Sequence, residues 1–151
     1  MKINWKLFII SFGSVFLTAF LGSLVTDIGS WYESVKPAIT PPGYIFPIVW
    51  TTLYIMIGFS IYYALRKNKN IKMIKILFGL NLFLNFLWSF IFFYLHQVAL
   101  ALGEIIILWV SILMLIVTLW KTEKKSAYLL IPYLIWVAIA SYLNYLIFIA
   151  L

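Results

Sequence analysis

Five long stretches without a charged side chain constrain this chain more than anything else in it. They cover residues 7–26, 37–65, 76–95, 105–120 and 126–151, and Glu104 alone interrupts a longer apolar run that begins at Gln97. A helix needs about 20 predominantly apolar residues to cross a bilayer. Five spans therefore fit into 151 residues and leave no room for a soluble domain. The composition agrees: 66% of residues are apolar and 10% charged, against about 45–50% and about 25% in soluble domains. The expected fold is an all-α integral membrane protein, a five-transmembrane-helix bundle forming one domain over 1–151. Its spans are expected at about 5–26, 42–65, 72–95, 97–120 and 126–149.

The first run follows Lys2 and Lys6, as a signal peptide would. It exceeds the roughly 7–15 residues of a signal core, and no small-x-small cleavage site follows, so it is read as a retained span. Cysteine is absent, which removes disulfides, thiol nucleophiles and thiolate metal sites. One His and four acids leave little for a metal centre. The net charge of +7 is compatible with nucleic acid, but its placement indicates a membrane instead. With five spans, Lys2, Lys6, Arg66, Lys67, Lys69, Lys72, Lys75, Lys121, Lys124 and Lys125 share one side, and only Lys36 lies on the other. The positive-inside rule puts the N-terminus in the cytoplasm and the C-terminus outside, in the cell membrane. The basic side then meets anionic lipid headgroups.

The segment from Trp31 to Tyr54 combines a loop, a helix start and many rings. A double proline leaves the residue before it extended, and proline suits the first helical turn. An ordered outer lid is expected to end near Pro41, with a helix starting beside Pro42. That helix carries Phe46, Trp50 and Tyr54 on one face, at four-residue spacing. Pro47 in its first turns permits a local bend.

In the third span Asn81, Asn85, Trp88 and Phe92 fall at i, i+4, i+7 and i+11, one helical stripe. Amides within a membrane are unfavourable toward lipid, so both are expected to face protein or a cavity. Interhelical hydrogen bonding is the plainer reading for Asn81. For Asn85, beside Trp88, pocket lining and interhelical bonding fit equally. Glu104 lies about two turns into the fourth span and is a functional suspect; acceptance of hydrogen bonds from the outer loop, or a headgroup position, accounts for it as well. In the fifth span Trp136, Ala140 and Leu143 recur at helical spacing after Pro132, where a kink can widen the bundle. Trp136 sits too far from either end for an aromatic belt. Small residues in the first span suit plain helix packing. Aromatic walls with one amide suit a flat, largely apolar ligand.

Phosphate loops, HExxH, paired carboxylates and a Ser/His/Asp set cannot be assembled, so hydrolysis is excluded. No inverted repeat of the transporter type is visible. Oxidisable Trp and Tyr are the reactive resource that remains.

Trp31-Tyr32, Lys36-Pro37, Pro41-Pro42, Val49-Trp50 and Leu53-Tyr54, then Asn85-x-x-Trp88 with Phe92-Phe93, and Pro132-Tyr133-Leu134-x-Trp136 with Ala140 and Leu143-Asn144 resemble the signature of the TspO/MBR family. These are the tryptophan-rich sensory or translocator proteins, and the resemblance covers essentially the whole chain, in the manner of a bacterial member. It implies a five-helix bundle, a homodimer, and a cavity closed by the first outer loop. The implied ligands are porphyrins such as protoporphyrin IX and drug-like molecules of the benzodiazepine-receptor type, with cholesterol in animal members. By residue matching, Trp50 and Trp136 would support light- and oxygen-dependent porphyrin breakdown, with no cofactor. Tyr32, Pro41, Phe46, Trp50, Tyr54, Asn85, Trp88, Trp136, Ala140 and Leu143 would line the cavity. Two departures stand out. Ile39 occupies a lid position where many members carry Trp, and no basic residue follows Tyr142 or Tyr145 as the animal cholesterol motif requires. The resemblance leaves three functions open: a porphyrin receptor that degrades its ligand, a translocator of tetrapyrroles or small lipids, and a stress-sensing membrane protein without catalysis.

Overall fold

The computed structural model describes residues 3–67 and 70–151. Among the described residues there are six α-helices: α1 Trp5–Val25, α2 Ser30–Val35, α3 Ile45–Lys67, α4 Ile71–Ser89, α5 Val98–Trp120 and α6 Lys124–Ala150. A single π-turn, Phe90–Tyr94, extends α4. Five of these rods are long and apolar enough to cross a membrane, with α4 and its π-turn counting as one. The protein is an integral membrane protein of the expected architecture. Its exterior carries large exposed apolar side chains such as Phe16, Leu24, Ile48, Phe83, Met114 and Ile135, as a lipid-facing surface does.

Local chemistry fixes several helix starts. The Asn4 carboxamide accepts the Leu7 N–H at 3.2 Å, and Asn70 does the same for Met73 at 3.1 Å. Glu123 caps α6 by accepting the Lys125 N–H at 3.2 Å. Such caps satisfy N–H groups that lack a partner within the helix. The expected start of the second span beside Pro42 moves to Ile45. Residues 42–45 first make a tight turn, in which the Ile45 N–H donates to the Pro42 carbonyl at 2.9 Å. Pro47 then falls in the first turn of α3, where its missing N–H has no consequence. Pro132 does not interrupt α6, which runs continuously from Lys124 to Ala150.

Around the bundle, α1 neighbours α3, α3 neighbours α6, α6 neighbours α5, α5 neighbours α4, and α4 returns to α1. The continuous core lies toward the end where α3 finishes and α6 begins. There Ile57, Ala64, Ile112, Leu115, Leu119, Ala127 and Leu130 are all but fully buried. The Ser60 and Ser126 hydroxyls each donate to the other residue's carbonyl, at 2.9 and 2.8 Å, and bring α3 close to α6. Gly58 does the same for α1, since a Cβ there would stand 2.7 Å from the Phe12 ring. Lys6, Arg66, Lys67, Lys72, Lys75, Lys121, Lys124 and Lys125 lie at this end, called the basic end below. Lys2 and Lys69 fall outside the described residues.

The opposite end is built differently. Phe46, in the first turn of α3, meets Trp136 edge-on at 5.8 Å, halfway along α6. From that level α6 continues for roughly 20 Å at about 1.5 Å per residue, without α3 beside it. Residues 26–44 occupy this end, where an ordered lid was expected, and they contain the short helix α2. Trp31, Tyr32 and Val35 of α2 pack on a second apolar cluster of Ile91, Phe92, Val98, Ala101 and Ile147. Residues 26–44 therefore form a lid across the open end of a ring with one short wall.

Candidate functional site

Beneath the lid, α3 presents Phe46, Trp50 and Tyr54 on one face, as the four-residue spacing requires. The Trp50 ring lies 5.4 Å from Tyr54 and 6.3 Å from Tyr133 of α6. From α4, Asn85 reaches between them. Its carbonyl oxygen accepts the Tyr54 hydroxyl at 2.8 Å, and its amide donates to the Tyr133 oxygen at 2.9 Å. One buried carboxamide thus ties three helices together, and the Trp50 ring packs against both tyrosines that it bonds. The bonding partners are internal, so Asn85 is interhelical glue as well as part of the wall.

A second cluster sits closer to the lid. Trp88 stacks on Phe92 at 5.2 Å and donates its indole N–H to Asn144 at 3.1 Å. Asn144 in turn donates to the Val98 carbonyl at 3.1 Å, at the open N-terminus of α5. Tyr32 of the lid meets the Phe93 ring at 5.5 Å. Burial and the neighbouring Glu33 carboxylate raise the Tyr32 phenol above its usual range, so it stays a neutral hydroxyl. The Asn81, Asn85, Trp88 and Phe92 stripe faces protein along its whole length. Asn81 donates to the Ser111 hydroxyl at 2.8 Å, the interhelical bond expected of it.

Seven of the ten expected lining residues fall into two groups. Phe46, Trp50, Tyr54, Asn85 and Trp136 form the deeper one; Tyr32 and Trp88 form the upper one. Leu143 is buried and Ala140 packs against the core edge of α6. Pro41 is half-buried at the end of the lid. Ile39 points outward, 62% exposed, and contributes no stacking. Trp136 also faces outward in part: with Val49, Leu53, Pro132 and Ile139 it lines a groove of 330 Å³ between α3 and α6.

Of the readings given to Glu104, the hydrogen bonds from the outer loop are not made. It is 6% exposed, and among the described residues neither carboxylate oxygen has a hydrogen-bond partner. Tyr133 and Asn144 were quoted in the sequence motifs without being counted as site residues. Their signal was present, as polar groups within a span, but which ring or amide they would meet depends on how α6 slides against α4. Thr40 was not singled out; its buried hydroxyl oxygen, beside Pro41, has no hydrogen-bond partner among the described residues.

The model of the TspO/MBR family matches residues 10–149. The tryptophan-rich protein TspO of Archaeoglobus fulgidus is 39% identical over 139 residues, covering 89% of this chain and 90% of that one. Its counterpart in Chlorobaculum tepidum is 37% identical over 139 residues, 88% of each chain. The translocator protein of Bos taurus is 31% identical over 136 residues, 85% of this chain and 80% of its own.

Proposed function

Because the chain belongs to the TspO/MBR family, we propose that it is a membrane receptor for porphyrins, protoporphyrin IX above all, and related flat apolar ligands. The ligand would lie against the aromatic walls beneath the lid. The observation that carries this reading is the Asn85 bridge between Tyr54 and Tyr133, which holds Trp50 in place within a dense set of rings. Ring faces reward a flat ligand by about 0.5–1.5 kcal/mol per well-placed pair, beyond area burial. At the basic end, Ile112, Leu115, Leu119, Ala127 and Leu130 close the interior with apolar side chains, which favours retention of the ligand over passage through the protein.

The same family implies light- and oxygen-dependent breakdown of the bound porphyrin. Light and oxygen drive the oxidation, and Trp50 on α3 and Trp136 on the neighbouring α6 are the oxidisable indoles. The site needs no cofactor for it. Titration with protoporphyrin IX should quench the intrinsic Trp fluorescence saturably. Under illumination in air, Trp50→Phe and Trp136→Phe should keep the fold and slow porphyrin loss by at least several-fold. Wild-type rates in both variants would remove the indoles from the chemistry, and a lack of saturable quenching would remove the receptor reading itself. We further assign a homodimer in the cell membrane, with the lid outside, the N-terminus in the cytoplasm and the basic end against anionic lipid. Cross-linking in native vesicles and a C-terminal reporter test both points.

A further inference from the structure

His96 is the chain's single histidine, and among the described residues it is the single non-glycine in the left-handed backbone region, with φ at 54°. It follows the π-turn, where the Leu95 N–H donates to Phe90 at 3.0 Å and the Gln97 N–H to Ile91 at 3.1 Å. Helix ends of this kind ordinarily carry Gly or Asn, because other side chains strain the backbone there. A strained residue persists when its surroundings favour it, and here the side chain supplies the reason. The imidazole stacks on Trp31 of α2, with ring centroids 4.0 Å apart and planes within 16°.

Trp31 continues the line inward. It meets Phe92 edge-on at 5.5 Å, and Phe92 stacks on Trp88, whose N–H is bonded to Asn144. The His96–Trp31 pair is therefore the outermost contact of a ring series that reaches the upper wall of the site. We propose that this pair is a proton-sensitive latch, holding the lid helix α2 against the turn between α4 and α5 and tightening when His96 gains a proton. A neutral imidazole stacks by dispersion; an imidazolium adds attraction to the negative face of the indole, about 0.5–1 kcal/mol at an exposed position.

The charges around it leave that proton to Trp31. On the lid, Glu33 is paired with Lys36 at 2.6 Å, and Asp27 accepts the Gly29 N–H at 2.8 Å. Tyr32 stays neutral. The end of α4 offers only Tyr94, α5 only Glu104 two turns deeper, and the far half of α6 only Tyr142 and Tyr145. Among the described residues no carboxylate lies within ion-pair distance of His96. The added attraction exists while the imidazole carries a proton and vanishes when it is neutral.

The latch belongs to the lid and not to whatever the cavity binds, so it is read on ligand-free protein. Hydrogen exchange of the amides in residues 27–40 is measured on the full chain in lipid nanodiscs at about pH 5 and about pH 8, each rate referred to that of an unstructured peptide at the same pH. Wild-type lid protection should be roughly two- to five-fold higher in acid, the equilibrium change that a cation–π contact implies. His96→Asn keeps a residue suited to the left-handed backbone and removes the ring; it should lower protection at both pH values and abolish the difference. Trp31→Leu, which leaves the histidine in place, should do the same. Equal wild-type protection at both pH values, or a pH dependence that survives in His96→Asn, would overturn the latch.

Discussion

The two ends of this bundle obey different packing rules. At the basic end, helices approach through Gly58, Ser60, Ala64, Ser126 and Ala127, and Leu and Ile fill what remains. At the lid end, α3 starts late, wide rings span the gap, and carboxamides from α4 and α6 connect them. Small residues let backbones close up in lipid, where there is little hydrophobic force between helices and contact itself supplies the attraction. Rings joined by hydrogen bonds hold helices apart instead. A gap filled by side chains can be repacked around a ligand; one closed by backbone contact cannot.

The largest expected effect tests the propping. Asn85→Leu leaves the Tyr54 and Tyr133 hydroxyls without their partner. At about 1–3 kcal/mol for each of the two buried groups left unpaired, it should destabilise the protein by roughly 2–6 kcal/mol. Thermal unfolding in detergent measures this, and porphyrin affinity should fall with it as Trp50 loses its support. A variant as stable as wild type would mean that the bridge does not hold the walls. At the other end, Gly58→Val pushes a side chain into Phe12 and should cost about 1–3 kcal/mol. Porphyrin affinity should stay unchanged in the folded fraction, and a selective loss of binding would erase the distinction between the ends. Ser126→Ala removes one of the two reciprocal bonds to Ser60, for about 1 kcal/mol. The smallest effect concerns Glu104, whose carboxyl is buried without a hydrogen-bond partner among the described residues. Glu104→Met should raise stability by about 1 kcal/mol, since an apolar side chain of similar size has no unmet bonds. Lower stability in that variant would show that the carboxyl does have a partner in the membrane.

Much of the lid end was legible in residue spacing. Phe46, Trp50 and Tyr54 had to share a face once the segment was a helix, and the Asn81 to Phe92 stripe had to be shielded from lipid. Their mutual register was not legible. That Asn85 meets Tyr54 and Tyr133, and Trp88 meets Asn144, depends on where α6 slides relative to α4, which no periodicity within one helix contains. The late start of α3 was obscured for a local reason, because Pro42 can open a helix as readily as it can precede a turn.

The sequence by itself determined five membrane spans, the gathering of basic residues at one end, and the aromatic faces, since length, charge placement and a 3.6-residue repeat follow from the order of residues alone. The tertiary structure decided the rest: the short α3 wall, the lid helix over it, the Asn85 bridge and the His96–Trp31 stack. Each of these joins groups far apart in the chain, and their distance is set by how whole helices pack rather than by what any one helix encodes.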